Sequence, residues 1–193
     1  MFRYRATKRA IAVALSVMSA GTSADAQWVV RANGPDVIGN EKVVAIAPSD
    51  SGDALIVQCD QTSSLYIALI ERGTSSEMNQ LSEISSGIPA ELLIRVDQNP
   101  VQKFDAKLRQ WNTRFLGVVA RGRTPDMVAV LRQIGTGQRR ISVGTEVLGS
   151  QESDSFGVMG SANAINQVLK DCKLNDVKSA PPDSKGANSH QRG

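Results

Sequence analysis

The residues of this chain that could do acid–base chemistry are few. Asp97 and Asp105 lie at the two ends of a predicted β-hairpin, and a pair of carboxylates is what the hydrolysis of a glycoside requires. His190 is the only histidine, and it lies in a C-terminal segment rich in serine, proline and glycine. The rest of the sequence therefore offers no Ser-His-Asp or Cys-His unit and no histidine-based metal site. We predict no catalytic residues, no metal and no cofactor; a hydrolase that uses carboxylates alone is the weakest alternative.

A second group of residues could bind a ligand without transforming it. Trp111 lies between Arg109 and Arg114. An indole ring beside guanidinium groups can stack on a sugar or contribute to an anion site. These three residues predict a site for a cell-wall component or another anionic ligand, and the alternative is that Trp111 simply packs in the fold.

The first 26 residues have the pattern of a secretory signal peptide. A basic start is followed by an apolar stretch, and residues 24–26 read Ala-Asp-Ala, which matches the A-x-A cleavage pattern. We expect cleavage before Gln27 and a mature protein that is periplasmic or secreted; an uncleaved N-terminal anchor is the alternative. No later segment is long and apolar enough to predict a transmembrane helix.

Removal of the signal peptide changes the charge of the chain. The segment carries four of the 22 Lys and Arg residues and one of the 19 Asp and Glu residues, so the mature chain has 18 of each. A chain without net charge lacks the electrostatic footprint of a nucleic-acid-binding protein. We therefore predict that nucleic acid is not a partner.

The charges that remain are segregated along the chain. Residues 36–91 contain nine acidic and two basic residues, whereas residues 103–140 contain nine basic and two acidic residues. This pattern indicates either a basic patch for an anionic partner or two halves of the chain whose surface charges pair with each other.

The two cysteines, Cys59 and Cys172, are predicted to form a disulfide after export. Cys59 ends an alternating strand and shares its apolar face with Leu55 and Val57. Cys172 falls on the apolar stripe of the last predicted helix. Both sulfur atoms can then point into the core, and the alternative is a pair of unpaired buried thiols.

Residues 27–175 predict a single domain made mostly of short strands. Strands are expected at residues 28–31, 43–47, 54–59, 65–71, 92–97, 101–106, 115–121, 141–147 and 156–159. Residues 65–71 are apolar on both faces, which is typical of a strand covered on both sides. Residues 73–87 are rich in serine and glycine and predict a long loop, and residues 176–193 predict a disordered tail.

Two helices are expected beside these strands. Thr124 and Pro125 have the pattern of an N-cap followed by proline at the first helical position, and Gly135 is expected to end that helix. Ser161 is the expected N-cap of a final helix at residues 162–173. The predicted fold is mainly β: an antiparallel β-sandwich or partly closed barrel with two short packed helices.

Four segments in this order resemble a known family. They are the strand that ends in Cys59, the hairpin at residues 93–100, the helix capped by Thr124, and the run from Phe156 to Cys172. Together they resemble the periplasmic accessory proteins of type VI secretion gene clusters and, more distantly, the invasion-associated locus B family. The resemblance implies a compact, mainly β, disulfide-bearing periplasmic domain without established catalytic residues.

These observations favour an exported, non-enzymatic interaction module that is an accessory to secretion or envelope function. Its expected partner is an envelope or secretion protein. A binder of a cell-wall component or other anionic ligand and a hydrolase that uses carboxylates alone are the alternatives.

Overall fold

The computed structural model describes residues 27–33, 42–59, 64–84, 86–122 and 124–177. The predicted signal peptide, and the tail from residue 178 onward with His190, lie outside these described residues. In the described part of the chain, no helix is long and apolar enough to cross a membrane.

The described residues form nine strands in one sheet, and every neighbouring pair in it is antiparallel. The strands are β1 Val29–Asn33, β2 Lys42–Pro48, β3 Ala54–Cys59, β4 Leu65–Arg72, β5 Ile88–Val96, β6 Gln102–Gln110, β7 Phe115–Gly122, β8 Arg140–Val147 and β9 Ser150–Gly157. Their order across the sheet is β1-β2-β3-β4-β7-β6-β5-β8-β9. The sheet curls into a half-barrel, so the prediction of a mainly β fold is confirmed in its partly closed barrel form.

The inside of this curl holds the main hydrophobic core. Side chains alternate between the two faces of a strand, and those that point inward, such as Leu55 on β3, Ile67 on β4 and Ile94 on β5, are fully buried. Burial of one such side chain contributes about 1.5–3 kcal/mol. Most inward side chains of the central strands are apolar, and this pattern fixes the register of the sheet.

Within the described part of the chain, three helices accompany the sheet: α1 Ser75–Ser82, α2 Pro125–Thr136 and α3 Ser161–Asp171. The first of them corrects the predicted long loop at residues 73–87. Thr74 and Glu77 form a capping box, in which the Thr74 side chain accepts from the Glu77 backbone and the Glu77 carboxylate accepts from the Thr74 backbone. Met78 and Leu81, three residues apart, bury the apolar side of α1. The many serine residues of this segment favoured a loop, but the capping box specifies a short helix here.

Helices α2 and α3 pack against each other and against the inner side of the sheet. Thr124 caps α2 and Pro125 is its first residue, as predicted, but the helix continues past Gly135 to Thr136 and is capped by Gly137. The N-cap of α3 is Gly160, which has a φ of 81°, and not Ser161. The buried Ser161 hydroxyl instead donates to the carbonyl of Ile134 and ties the two helices together.

Strand β9 is longer than predicted. Hydrogen bonds join its end to the other edge of the sheet, beside β1. The expected strand at residues 156–159 is the end of β9, whose first residues are polar on both faces because β9 is an edge strand. The backbone N–H of Trp28 donates to the carbonyl of Met159 at 3.0 Å, and its indole N–H donates to Gly157 at 2.9 Å. The Ser51 hydroxyl donates to Asp154 at 2.6 Å and connects the β2–β3 turn to β9.

The predicted disulfide is present between Cys59, at the end of β3, and Cys172, which follows α3. The chain continues from there along the same surface. Val177 packs against the core, and the Arg132 guanidinium donates to the carbonyls of Asn175 and Val177. The described chain therefore stays in contact with the folded domain as far as Val177.

The hydrogen bond from the Trp28 indole predicts the effect of a conservative change. Trp28→Phe keeps most of the buried ring but leaves the Gly157 carbonyl without its donor, so we expect the free energy of unfolding to fall by about 1 kcal/mol. Urea denaturation measures this change. Trp111→Phe is the matched control, since the structure shows no hydrogen bond from that indole to a described residue, and equal losses in the two variants would contradict the closing role of Trp28.

Candidate functional site

A second apolar cluster lies on the outer side of the sheet, away from the core. Its members are the outward-pointing side chains of β2, β3, β4 and β7, together with one residue of the β6–β7 hairpin. We call it the outer patch, and it consists of Val44, Ile46, Ala54, Ile56, Tyr66, Ala68, Ile70, Trp111, Phe115 and Val119. In the part of the chain that the structure describes, no helical residue belongs to this cluster.

The outer patch explains the apolar pattern of β4. Its inward residues lie in the core, and its outward residues Ala68 and Ile70 are also buried, with exposed fractions of 0% and 5%. Among the described residues, the half-buried Val44, Ile46 and Tyr66 pack against this buried set. Together with Trp111 and Phe115 they leave part of the outer apolar face accessible, and accessible apolar surface on a sheet is typical of an interaction site.

Trp111 forms one end of the outer patch. The β6–β7 hairpin is closed by hydrogen bonds from the backbone N–H groups of Trp111 and Asn112 to the carbonyl of Phe115. The ring lies close to Gly117, where an added Cβ atom would be 2.7 Å from Ile70 Cδ1 and 3.4 Å from Trp111 Cε3. Trp111 thus packs onto the outer face and keeps part of its ring accessible. Its role in ligand binding stays a prediction.

Basic side chains border the outer patch on the same face. Lys107 and Arg109 on β6, Arg121 on β7 and Arg72 on β4 are all exposed and occupy outward positions of their strands. The Arg121 guanidinium lies 5.0 Å from the centre of the Tyr66 ring, within the range of a cation–π contact. We call these four residues the basic rim.

The three residues predicted to bind a ligand are only partly brought together. Arg109 and Trp111 are two residues apart on the same face, at the junction of the basic rim and the outer patch. Arg114 lies in the hairpin turn, where its backbone N–H donates to the Asn112 side chain. The sequence interpretation missed Tyr66 and Arg121, because they meet across the β4–β7 pairing, which joins segments about 50 residues apart and gives no local signal.

Asp97 and Asp105, the candidate carboxylate pair, lie far from each other. Asp105 is opposite Glu91 on β5, and Asp97 lies six residues further along, so the two are separated by roughly 20 Å. Carboxylates that act together on a glycoside are about 5–9.5 Å apart. The geometry does not fit such a pair.

Asp97 has a structural role at the start of β8. Its carboxylate accepts hydrogen bonds from the backbone N–H groups of Gln138, Arg139 and Arg140 at 2.8, 2.8 and 3.0 Å. These bonds, with that from Gln138 the strongest, lower the pKa of Asp97. Asp97 has a φ of 53°, a left-handed conformation that aspartate and asparagine tolerate better than most residues.

Among the described residues, the acidic and basic parts of the chain form one ion pair. Lys103 on β6 and Glu91 on β5 form an exposed ion pair at 2.9 Å. The Lys107 ammonium donates to the carbonyl of Ser86, and Arg109 has no ion-pair partner among the described residues. The basic half of the chain therefore presents cations to the outside, in addition to neutralising the acidic half.

No protein-family model matches this sequence, and no match was found among curated proteins. Among solved structures, the chain is similar to invasion associated protein B from Bartonella henselae, with a TM-score of 0.44 and 13% sequence identity. The similarity covers 77% of this chain and 96% of that protein. No residue, activity or partner is assigned to this chain from that similarity.

The hydrogen bonds of Asp97 predict a pH-dependent contribution to stability. A lowered pKa in the folded state means that the ionised carboxylate stabilises the fold above the pKa of the unfolded chain, and that this contribution is lost as the pH falls through the folded pKa. Asp97→Asn retains tolerance of the left-handed backbone but removes the charge, so we expect a lower urea midpoint at pH 7 and a difference from wild type that shrinks in acid.

Asp105→Asn is the control for this measurement, since Asp105 is exposed and accepts no backbone hydrogen bond in the described structure. Its midpoint should match that of the wild type at both pH values. An Asp97→Asn variant with an unchanged midpoint at pH 7 would contradict the assigned role.

Proposed function

We propose that this protein is a non-enzymatic interaction module of the bacterial cell envelope, and that it binds an acidic protein partner through the outer patch and basic rim. The observation that carries the proposal is the apolar outer face of β4 and its neighbours, with cations along its border. Apolar side chains at the centre and charged groups at the edge are the usual anatomy of a protein–protein interface.

The charge of the rim determines which occupant is favoured. Two copies of this chain would bring Arg109 and Arg121 of one copy toward those of the other, and like charges at an interface oppose association. The C-terminal segment at residues 178–193 contains three Lys and Arg residues and one acidic residue, so its charge does not complement the rim either. An acidic partner complements the rim, and its apolar residues can cover the patch.

Two features support a location outside the cytoplasm. The N-terminal 26 residues read as a signal peptide. The Cys59–Cys172 disulfide belongs to oxidising compartments, because thiols are kept reduced in the cytosol. A role as an accessory to secretion or envelope assembly, which the resemblance to type VI secretion accessory proteins implies, is part of this proposal.

We propose that the protein is not an enzyme, because Asp97 and Asp105 are not placed for acid–base catalysis. Asp97 is held by three backbone N–H groups, and Asp105 lies roughly 20 Å away on an exposed strand. Neither has the position or the partner that acid–base hydrolysis requires. A panel of glycosides incubated with the purified protein should show no turnover.

Site-specific photo-crosslinking in the native host tests where the partner binds. Val29 on β1 and Val101 in the β5–β6 turn are both 47% exposed, but only Val29 lies beside the outer patch, opposite Ile46. A photoreactive amino acid at position 29 should capture one protein reproducibly, and the same group at position 101 should not. Capture of the same set of proteins at both positions would contradict the proposed surface.

Charge reversal then tests the basic rim with the captured protein as the ligand. Arg109→Glu should weaken binding at least about tenfold, because it places a like charge against the acidic partner. Trp111→Ala should weaken it by a similar factor through lost aromatic contact. Arg95→Glu is the matched control, since Arg95 is also exposed on the outer side of the sheet but lies on β5, and binding should be unchanged.

The same variants distinguish a cell-wall ligand from a protein partner. If wild-type protein is retained on purified peptidoglycan and Trp111→Ala is not, the ligand is a cell-wall component and the proposed protein partner is wrong. The proposal predicts that wild-type protein and Trp111→Ala are recovered equally in the unbound fraction.

A further inference from the structure

The end of the barrel opposite α2 and α3 is not filled by the core. Helices α2 and α3 lie where β3, β5 and β9 end, whereas a cavity of about 320 Å³ opens where β4 and β8 end and where β5, β7 and β9 begin. Helix α1 lies along one side of this cavity through Leu81. We call this cavity the barrel mouth, and such openings are common positions for ligands in β-barrels.

The walls of the barrel mouth are largely apolar. Leu81 from α1, Leu116 and Val118 from β7 and Val147 from β8 line it, and they come from separate parts of the sequence. The lining therefore suits a hydrocarbon chain.

Two large apolar side chains at the entrance are exposed to solvent. Leu148 is 82% exposed and Ile84 is 40% exposed, and both line the barrel mouth. Leu148 occupies the tight β8–β9 turn with a φ of 51°, in the left-handed region where asparagine or glycine is usual. An exposed leucine in an unfavourable conformation at the rim of an apolar cavity has no role in packing the fold, and a ligand at the entrance would cover it.

Carboxyl groups supply the polar end of the same cavity. Glu71 projects inward from β4, and Glu152 of β9 lines the same opening. Burial, followed by the negative charges of Glu152, Asp53 in the β2–β3 turn and Glu77 on α1, raises the pKa of Glu71. The lining of the barrel mouth includes no Lys, Arg or His among the described residues.

From this arrangement we propose that the barrel mouth binds a small amphiphile with a positively charged amine head group. The hydrocarbon part would lie against Leu116, Val118 and Val147, with Leu148 and Ile84 over it. The ammonium group would lie between the carboxyl groups of Glu71 and Glu152, where it relieves the repulsion between them. This site is distinct from the outer patch, and the inference goes beyond the proposed function.

The binding of a cation at this site should also depend on pH. The charged groups that face Glu71 are Glu152 from β9, Asp53 from the β2–β3 turn and Glu77 from α1, and all of them are acidic. An ammonium ion favours the ionised form of Glu71, so binding releases the proton that Glu71 holds below its raised pKa. Affinity for an amine should therefore be lowest below the raised pKa of Glu71 and increase as the pH rises through it.

Isothermal titration with three ligands of equal chain length tests the proposal on the full exported protein. Decylamine, decanol and decanoate share the same hydrocarbon and differ in head-group charge. We expect decylamine to bind with a stoichiometry of one, at least about tenfold more tightly than decanol, and decanoate to bind more weakly than either. Decanoate binding as tight as that of decylamine, or no binding of decylamine, would overturn the inference.

Three variants separate the parts of the site. Glu71→Gln together with Glu152→Gln should reduce decylamine affinity at least about tenfold and leave decanol affinity unchanged. Leu148→Ser changes an exposed residue, so it should not impair folding. It should weaken the binding of both decylamine and decanol. Arg109→Glu, which is designed to disrupt the basic rim, should leave decylamine binding as in the wild type, so failure of one proposal is distinguishable from failure of the other. Decylamine affinity that is unaffected by the double glutamine change would overturn the assigned head-group site.

Discussion

The disulfide between Cys59 and Cys172 is the constraint on which the rest of this structure depends. It joins the end of β3 to the residue after α3, across a sequence separation of 113 residues, and fixes the helical layer at one end of the curled sheet. In the chain-entropy model, a cross-link of this length stabilises the fold by about 4–5 kcal/mol. That is a large share of the 5–15 kcal/mol typical of a whole domain. Because disulfides persist mainly in oxidising compartments, the same two residues connect the stability of the fold with the proposed location outside the cytoplasm.

With α2 and α3 held at one end, the sheet keeps two other surfaces for contact, and these surfaces have opposite charge. The barrel mouth carries Glu71 and Glu152, whereas the border of the outer patch carries Arg109 and Arg121. The segregation of charge along the sequence thus becomes a segregation in space: the acidic half of the chain supplies much of the barrel mouth, and the basic half supplies most of the rim. The predicted mature chain has no net charge, yet it carries two surfaces of opposite charge, as the two proposed ligands, one acidic and one cationic, require.

The sequence predicted those features that depend on local pattern. Period-two alternation identified β3 and the β5–β6 hairpin, the Thr124–Pro125 pair identified the start of α2, and the position of Cys59 and Cys172 on apolar faces identified the disulfide. What escaped prediction depends on long-range pairing or on weak local signals. Helix α1 is specified by one capping box, and β9 is an edge strand without an apolar face. The outer patch and the barrel mouth could not be predicted, because each is assembled from strands whose order in the sheet is not their order in the sequence.

Intact-mass measurement on protein recovered from its native host tests the central claim most directly. The account predicts a chain that begins at Gln27 and is lighter by two hydrogen atoms than the reduced form, with no thiol available to an alkylating reagent until a reductant is added. A mass that retains residues 1–26, or alkylation of both cysteines without reduction, would contradict an exported domain held together by this bond.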